Sequence, residues 1–255
     1  SDYLANFNGN TNTYVAWCWK ANGGTTSTNT DGTATSTVQA NTKAGFSISL
    51  TDNYTAATGV TIGHGLGKAP AFYINKPTGN NTSGGSSQAF NWHVYHQSLG
   101  GTKALILNTN SSVATAIGYF NNTDPTSTVL SIGNTMAGNG QILTYAWAEI
   151  EGFSRFGSYK GNANNDGPFV YCGFRPRLIF LKETGTSDDW VVYDTERDPI
   201  NRGSSRVSRW ESDTSEFDGT SRAIDILANG FKIRTSNNTI NQSSNFVFGA
   251  WGDVP

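Results

Sequence analysis

The chain has 255 residues, of which 36% are hydrophobic and 12% aromatic, enough for a packed core in one large or two ordinary domains. Only 14% are charged, the formal net charge is -2, and no Lys/Arg cluster appears, which excludes the basic footprint of a nucleic-acid binder. No apolar run reaches the roughly 18 residues of a membrane span, so no membrane insertion is expected, and the opening SDYLANFNGN lacks the basic and apolar regions of a signal peptide.

Twenty-nine glycines and many Thr, Ser and Asn disfavour helices, while Thr and the aromatics suit pleated surfaces, so an all-β chain is expected. The first element, Tyr14–Lys20 (YVAWCWK), reads as a packed strand, with a sugar-binding aromatic platform as the alternative. Residues 22–43 lack apolar periodicity and read as an extended linker or a solvated edge. Strands are then expected near Gly45–Leu50, Val60–Ile62, Ala71–Asn75, Asn91–His96, Ala104–Leu107, Thr115–Tyr119, Thr128–Ile132 and Ile142–Glu149, separated by Gly, Asn, Ser or Pro clusters. A long helix fits nowhere.

The remainder echoes this series. Ala44–Leu50 resembles Glu151–Gly157, and Ala71–Lys76 (AFYINK) resembles Arg177–Lys182 (RLIFLK). Trp92–His96 (WHVYH) resembles Trp190–Asp194 (WVVYD), and Ile142–Trp147 (ILTYAW) resembles Phe246–Trp251 (FVFGAW). Four landmarks in the same order indicate a tandem duplication. The expected architecture is two related antiparallel β-sandwich domains, jelly-roll-like, at 44–150 and 151–255, behind an N-terminal strand and linker at 1–43. YVAWCWK shares the pattern of the two closing strands, which aligns Trp19, Trp147 and Trp251.

Alternation places Trp92, Val94 and His96 on one strand face and Tyr95 on the other; Trp190, Val192 and Asp194 likewise oppose Tyr193. The structural reading makes the tryptophans core and the tyrosines half exposed. The functional reading lets exposed rings stack on sugars while polar neighbours fix orientation, with loops Asp194–Arg202 and Thr78–Gln88 framing the site. The candidate ligand residues are therefore Tyr95, His96, Tyr193, Asp194, Arg197 and Asp198.

Asp188, Asp189, Asp194, Glu196 and Asp198 are close enough in sequence to consider paired-carboxylate glycoside hydrolysis. The arginines alongside suggest ion pairs instead, and no catalytic residue is assigned. His93 and His96 fall on opposite strand faces, Asn162–Gly167 lacks the acidic twelfth ligand of a calcium loop, and neither cysteine has a CxxC partner. No metal or cofactor is expected. Cys18 and Cys172 are expected as buried free thiols, with a disulfide as the alternative.

The series Trp17-Cys-Trp-Lys-Ala-Asn-Gly-Gly24, GHGLGKAP, WHVYHQSLG, EGFSRFGSYKGN, DGPFVYCGFRPRLIFLK and WVVYDTERDP resembles a module of tail-fibre and virion proteins of marine bacteriophages. The resemblance covers essentially the whole chain. It implies a location on the phage particle, other virion proteins as partners, and a homo-oligomer such as the trimer common among fibres. A fibre or spike module attaching to host-surface glycan is the leading expectation, a capsid or tail decoration the alternative, and a glycan-cleaving spike a third.

Overall fold

The structure, a computed structural model, describes residues 13–51, 58–78, 91–115, 117–136, 141–199 and 201–253. Its first part contains β1 (Ser27–Asn29), β2 (Ser36–Asn41), β3 (Phe46–Thr51), β4 (Val60–Gly63), β5 (Phe72–Pro77), β6 (His93–His96), β7 (Lys103–Ile106), β8 (Ala114–Thr115), β9 (Val129–Ile132) and β10 (Ile142–Trp147). Helix α1 (Ile117–Phe120) precedes β9. The second part contains β11 (Ser154–Lys160), β12 (Phe169–Tyr171), β13 (Leu178–Glu183), β14 (Trp190–Asp194), β15 (Ser205–Arg209), β16 (Phe217–Gly219), β17 (Ile224–Leu227), β18 (Gly230–Ile233) and β19 (Asn245–Trp251), with α2 (Asn238–Asn241) before the last strand.

The fold is all-β, and every named strand pair is antiparallel. The large sheet of the first part runs β1-β2-β3-β10-β5-β6-β7-β8, and that of the second runs β11-β19-β13-β14-β15-β16. From β3 onward the two orders correspond strand for strand. Register corresponds as well: Trp147 faces Phe72, which faces His96, while Trp251 faces Leu178, which faces Asp194. The repeated words in the sequence are thus repeated positions in space.

Each large sheet has two apolar faces because each is covered twice. In the first part, Tyr73, Tyr95 and Ala146 pack against Ile62, Leu130 and Ile132 of the small β4-β9 sheet. In the second, Ile179, Tyr193 and Phe248 pack against Val170, Ile226 and Phe231 of the β12-β18-β17 sheet. The opposite faces of the large sheets pack on one another through Phe72, Ile74, Val94, Phe180, Trp190 and Val192. Four layers result, with a shared aromatic core in the middle, where Phe72 lies 5.0 Å from Phe180 and 5.4 Å from Phe156 between ring centroids.

This double covering corrects the reading of Tyr95 and Tyr193 as half exposed. Their relative exposures are 3% and 4%. Tyr95 donates to Asp124 Oδ1 at 3.1 Å, and Tyr193 donates to the Arg222 carbonyl at 2.9 Å. Asp124 Oδ1 also accepts from the Gly101 N–H at 2.7 Å, so Asp124→Ala strands a buried phenol and a backbone donor. We expect a loss of about 2–3 kcal/mol, read from urea unfolding midpoints. A loss below about 0.5 kcal/mol would show that water replaces the carboxylate freely.

Three further expectations change. Of the two readings of residues 22–43 the linker gives way to the edge: β1 and β2 form a hairpin that extends the first large sheet beside β3, with Val38 buried. Thr115–Tyr119 is mostly α1, which Asn121 and Asn122 end in left-handed conformations at φ 53° and 50°. Gly118 is required there, because a Cβ would lie 1.7 Å from Thr135 Oγ1. Finally, YVAWCWK joins no sheet: residues 13–20 form an extended strap whose Trp17 and Trp19 turn inward while Cys18 is exposed. Cys172 is buried, burial raising its thiol to about 12, and both cysteines are free.

Candidate functional site

The proposed ligand residues hold the fold together. His96 is buried between the large sheets, where Nδ1 accepts from the Ser98 N–H at 3.2 Å. That fixes the proton on Nε2, which donates to the Phe248 carbonyl of the other repeat at 3.1 Å. Burial lowers its pKa to about 4, against the opposing effect of that bond, so it is a neutral tie. His93 turns to the opposite face, beside the Tyr119 ring.

Asp194 Oδ2 accepts from Trp17 Nε1 at 3.0 Å, fastening the strap to the second repeat, and Oδ1 accepts from the Glu196 N–H. Arg197 donates to Ser208 and pairs with Glu216. Asp198 accepts from Arg202 Nε at 3.0 Å and from the Arg206 N–H at 2.8 Å. Tyr193, Asp194 and Asp198 do meet around a hollow, but its volume of about 20 Å³ has room for a water and not for a sugar. Tyr95 and His96 lie in the other repeat, on opposite faces of β6.

The nearby acids are similarly engaged. Asp189 pairs with Arg209 at 2.7 Å and Arg222 at 2.8 Å, and Glu196 pairs with Arg177. Asn162–Gly167 is a turn stitched by Asn162 and Asn164 side chains accepting from backbone N–H groups two residues on. Loop Thr78–Gln88 lies, beyond Thr78, outside the described residues.

Two larger spaces open along the seam between the repeats. The first is a groove of about 540 Å³, with one wall formed by β12. Val170 on that strand and Cys172 just after it turn into the core, leaving Phe169 and Tyr171 45% and 60% exposed on the other face. Gly157 forms part of the lining; a Cβ there would meet the Phe248 ring at 2.7 Å. Arg155, Ser158, Gln97 and Ser98 supply the polar lining. Glu149 accepts from Gln97 Nε2 and forms an ion pair with Arg155 at 3.6 Å, while the Ser98 and Ser158 hydroxyls have no bonding partner among the described residues. The groove therefore combines exposed aromatic faces with unused hydroxyls and a cation, the elements that bind a polyhydroxylated ligand.

The second space is a cavity of about 370 Å³ with a nearly apolar wall formed by Trp17, Trp19, Trp92, Trp147, Trp210 and Trp251. The three tryptophans aligned by sequence meet here. Trp19 stands edge-on to Trp147 and Trp251 at 5.5 and 5.3 Å between centroids, and those two are 6.1 Å apart.

The sequence reading missed both spaces. Phe169 and Tyr171 alternate with apolar Val170 and Cys172, a pattern that resembles a strand buried on both faces. They are exposed because the outer face of the β12-β18-β17 sheet is left uncovered. No helix among the described residues is long and apolar enough to cross a membrane. No curated protein and no solved structure matches the chain. The profile of one family, described as a domain of unknown function, matches residues 1–255 throughout. By that match the chain belongs to the DUF7483 family.

Proposed function

We propose that this chain is a surface module of a bacteriophage particle that attaches to host-surface glycan, with the Phe169/Tyr171 groove as the sugar-contacting surface. The observation that carries the reading is the pair of exposed rings on one face of β12 above a polar groove. Residues two apart on a strand lie about 7 Å from one another, so both rings face the same stretch of an extended ligand. Arg155 and the free hydroxyls of Ser98 and Ser158 then fix the orientation of sugar hydroxyls, a task that rings alone cannot perform. Attachment by this route needs no covalent chemistry. The virion setting is drawn from the resemblance of the sequence to marine phage fibre modules, and the groove supplies its binding surface.

The test is titration of bacterial lipopolysaccharides and exopolysaccharides on a glycan array, followed by affinity measurement on the best ligand. Tyr171→Ala and Phe169→Ala are each expected to weaken binding about tenfold, equivalent to about 1.4 kcal/mol, with unfolding midpoints preserved. Binding that is indifferent to both changes would move the site elsewhere. Absence of glycan binding at about 1 mM would favour the decoration role, and reducing-sugar release would establish an enzyme.

A further inference from the structure

We propose that the tryptophan-lined cavity is a second binding site, separate from the groove, for a small flat aromatic molecule carrying an oxygen acceptor. Its volume of about 370 Å³ falls within the range of small-molecule pockets, about 300–1,000 Å³. It lies between two sheets, which pack about 10 Å apart, so a planar molecule suits the slot better than a folded partner or a helix. Asn108 lines it, but its Oδ1 already accepts from the Trp92 N–H and its Nδ2 donates to Asn91. Such a wall favours rings over hydroxyl-rich sugars.

The cavity is preformed, because its walls are anchored from outside. Trp17 is held by Asp194 at 3.0 Å. Trp92 stacks parallel to Tyr145 at 6.4 Å with Lys76 Nζ 5.7 Å from its centroid, and Trp210 packs on Phe180 at 5.0 Å. Collapse to fill the space would break these contacts. Independently, Trp147 and Trp251, both more than nine-tenths buried, have Nε1–H groups with no acceptor among the described residues. Neither Nε1 is open at the cavity surface, so a ligand oxygen meets these donors only where the rings turn, and this unmet donor capacity assigns the acceptor on the ligand.

The experiment follows the indole N–H resonances of ¹⁵N-labelled protein during titration with p-cresol and with toluene. Saturable shifts of Trp147, Trp251, Trp92 and Trp210, with p-cresol binding at least about fivefold more tightly, are expected. No saturable shift at about 1 mM p-cresol overturns the site. Equal affinity for toluene overturns the role of Trp147 and Trp251. Leu107→Trp, which fills the cavity from its wall, should abolish the shifts while leaving glycan binding unchanged; Leu107→Phe is the milder variant if the first fails to fold. Retained p-cresol affinity in a folded filled variant also overturns the site. Tyr171→Ala should leave p-cresol binding intact, so failure of the groove and failure of the cavity are read separately.

Discussion

Trp190→Ala is expected to destabilise the chain by about 3–5 kcal/mol and to weaken both repeats together. Trp190 is fully buried in the core between the large sheets, so its removal leaves a cavity that the close-packed rings around it cannot fill. It also donates from Nε1 to the Ile106 and Thr109 carbonyls of the first repeat at 3.0 and 3.2 Å. Those carbonyls close the turn after β7, from which Asn110 accepts the Asp188 N–H and Val113 donates to the Thr184 carbonyl. One side chain thus supports a strip of backbone ties between repeats. Two independent sandwiches would unfold in two steps, with the loss confined to the second. A shared core predicts a single transition in urea, displaced as a whole and coincident by tryptophan fluorescence and far-UV circular dichroism. Two resolved transitions, the first repeat's unmoved, would refute the shared core. Trp190→Phe should recover part of the loss, because it refills volume without restoring the two hydrogen bonds.

The same shared core explains what sequence made legible and what it did not. Strand positions for β3, β4, β5, β6, β7, β9 and β10 follow from alternation and turn residues, because both are local properties. The tandem echo was legible for the same reason, and structure turned it into register: His96 with Asp194, Trp147 with Trp251. Exposure was not legible at Tyr95, Tyr193, Phe169 or Tyr171. Alternation assigns a residue to a face, but which faces are covered depends on how sheets stack, and here each large sheet is covered on both sides. The engagement of the polar candidates was hidden for a related reason. Asp194 ends β14 and Asp198 lies in the loop after it, and their carboxylates are engaged by Trp17, Arg202 and the Arg206 backbone. YVAWCWK carries a closing-strand pattern yet forms no strand, because β10 already occupies the place between β3 and β5. Its tryptophans retain the inward face of the pattern without its hydrogen bonds.

Acidification from pH 7 to 4.5 is expected to remove about 5 kcal/mol of stability before the bulk of the carboxylates titrate. His64, His93 and His96 are all fully buried. Burial, and then the charge of Lys76, lowers His93 to about 4; burial lowers His96 to about 4 and His64 below its ordinary value. An unfolded histidine titrates near 6.5, so between about pH 6.5 and 4 the unfolded chain binds more protons than the folded one. Stability therefore falls as pH falls through that window. Each group whose pKa drops to about 4 costs about 3 kcal/mol by its lower end, and His93 and His96 together cost about 5 kcal/mol at pH 4.5 and about 6 kcal/mol at pH 4. Glu211 acts in the opposite direction, since burial raises its carboxyl and its folded form takes up a proton first, offsetting part of the loss. A domain's total stability is about 5–15 kcal/mol, so the histidine pair is enough to decide whether the fold survives at pH 4.5. Urea midpoints at about pH 7, 6 and 5 measure the slope directly. His96→Gln retains a donor for the Phe248 carbonyl while deleting a titrating group, and should reduce the slope by roughly one third to one half. A flat profile in the parent chain would mean that the imidazoles are hydrated in the folded state, which would also place water in the core between the repeats.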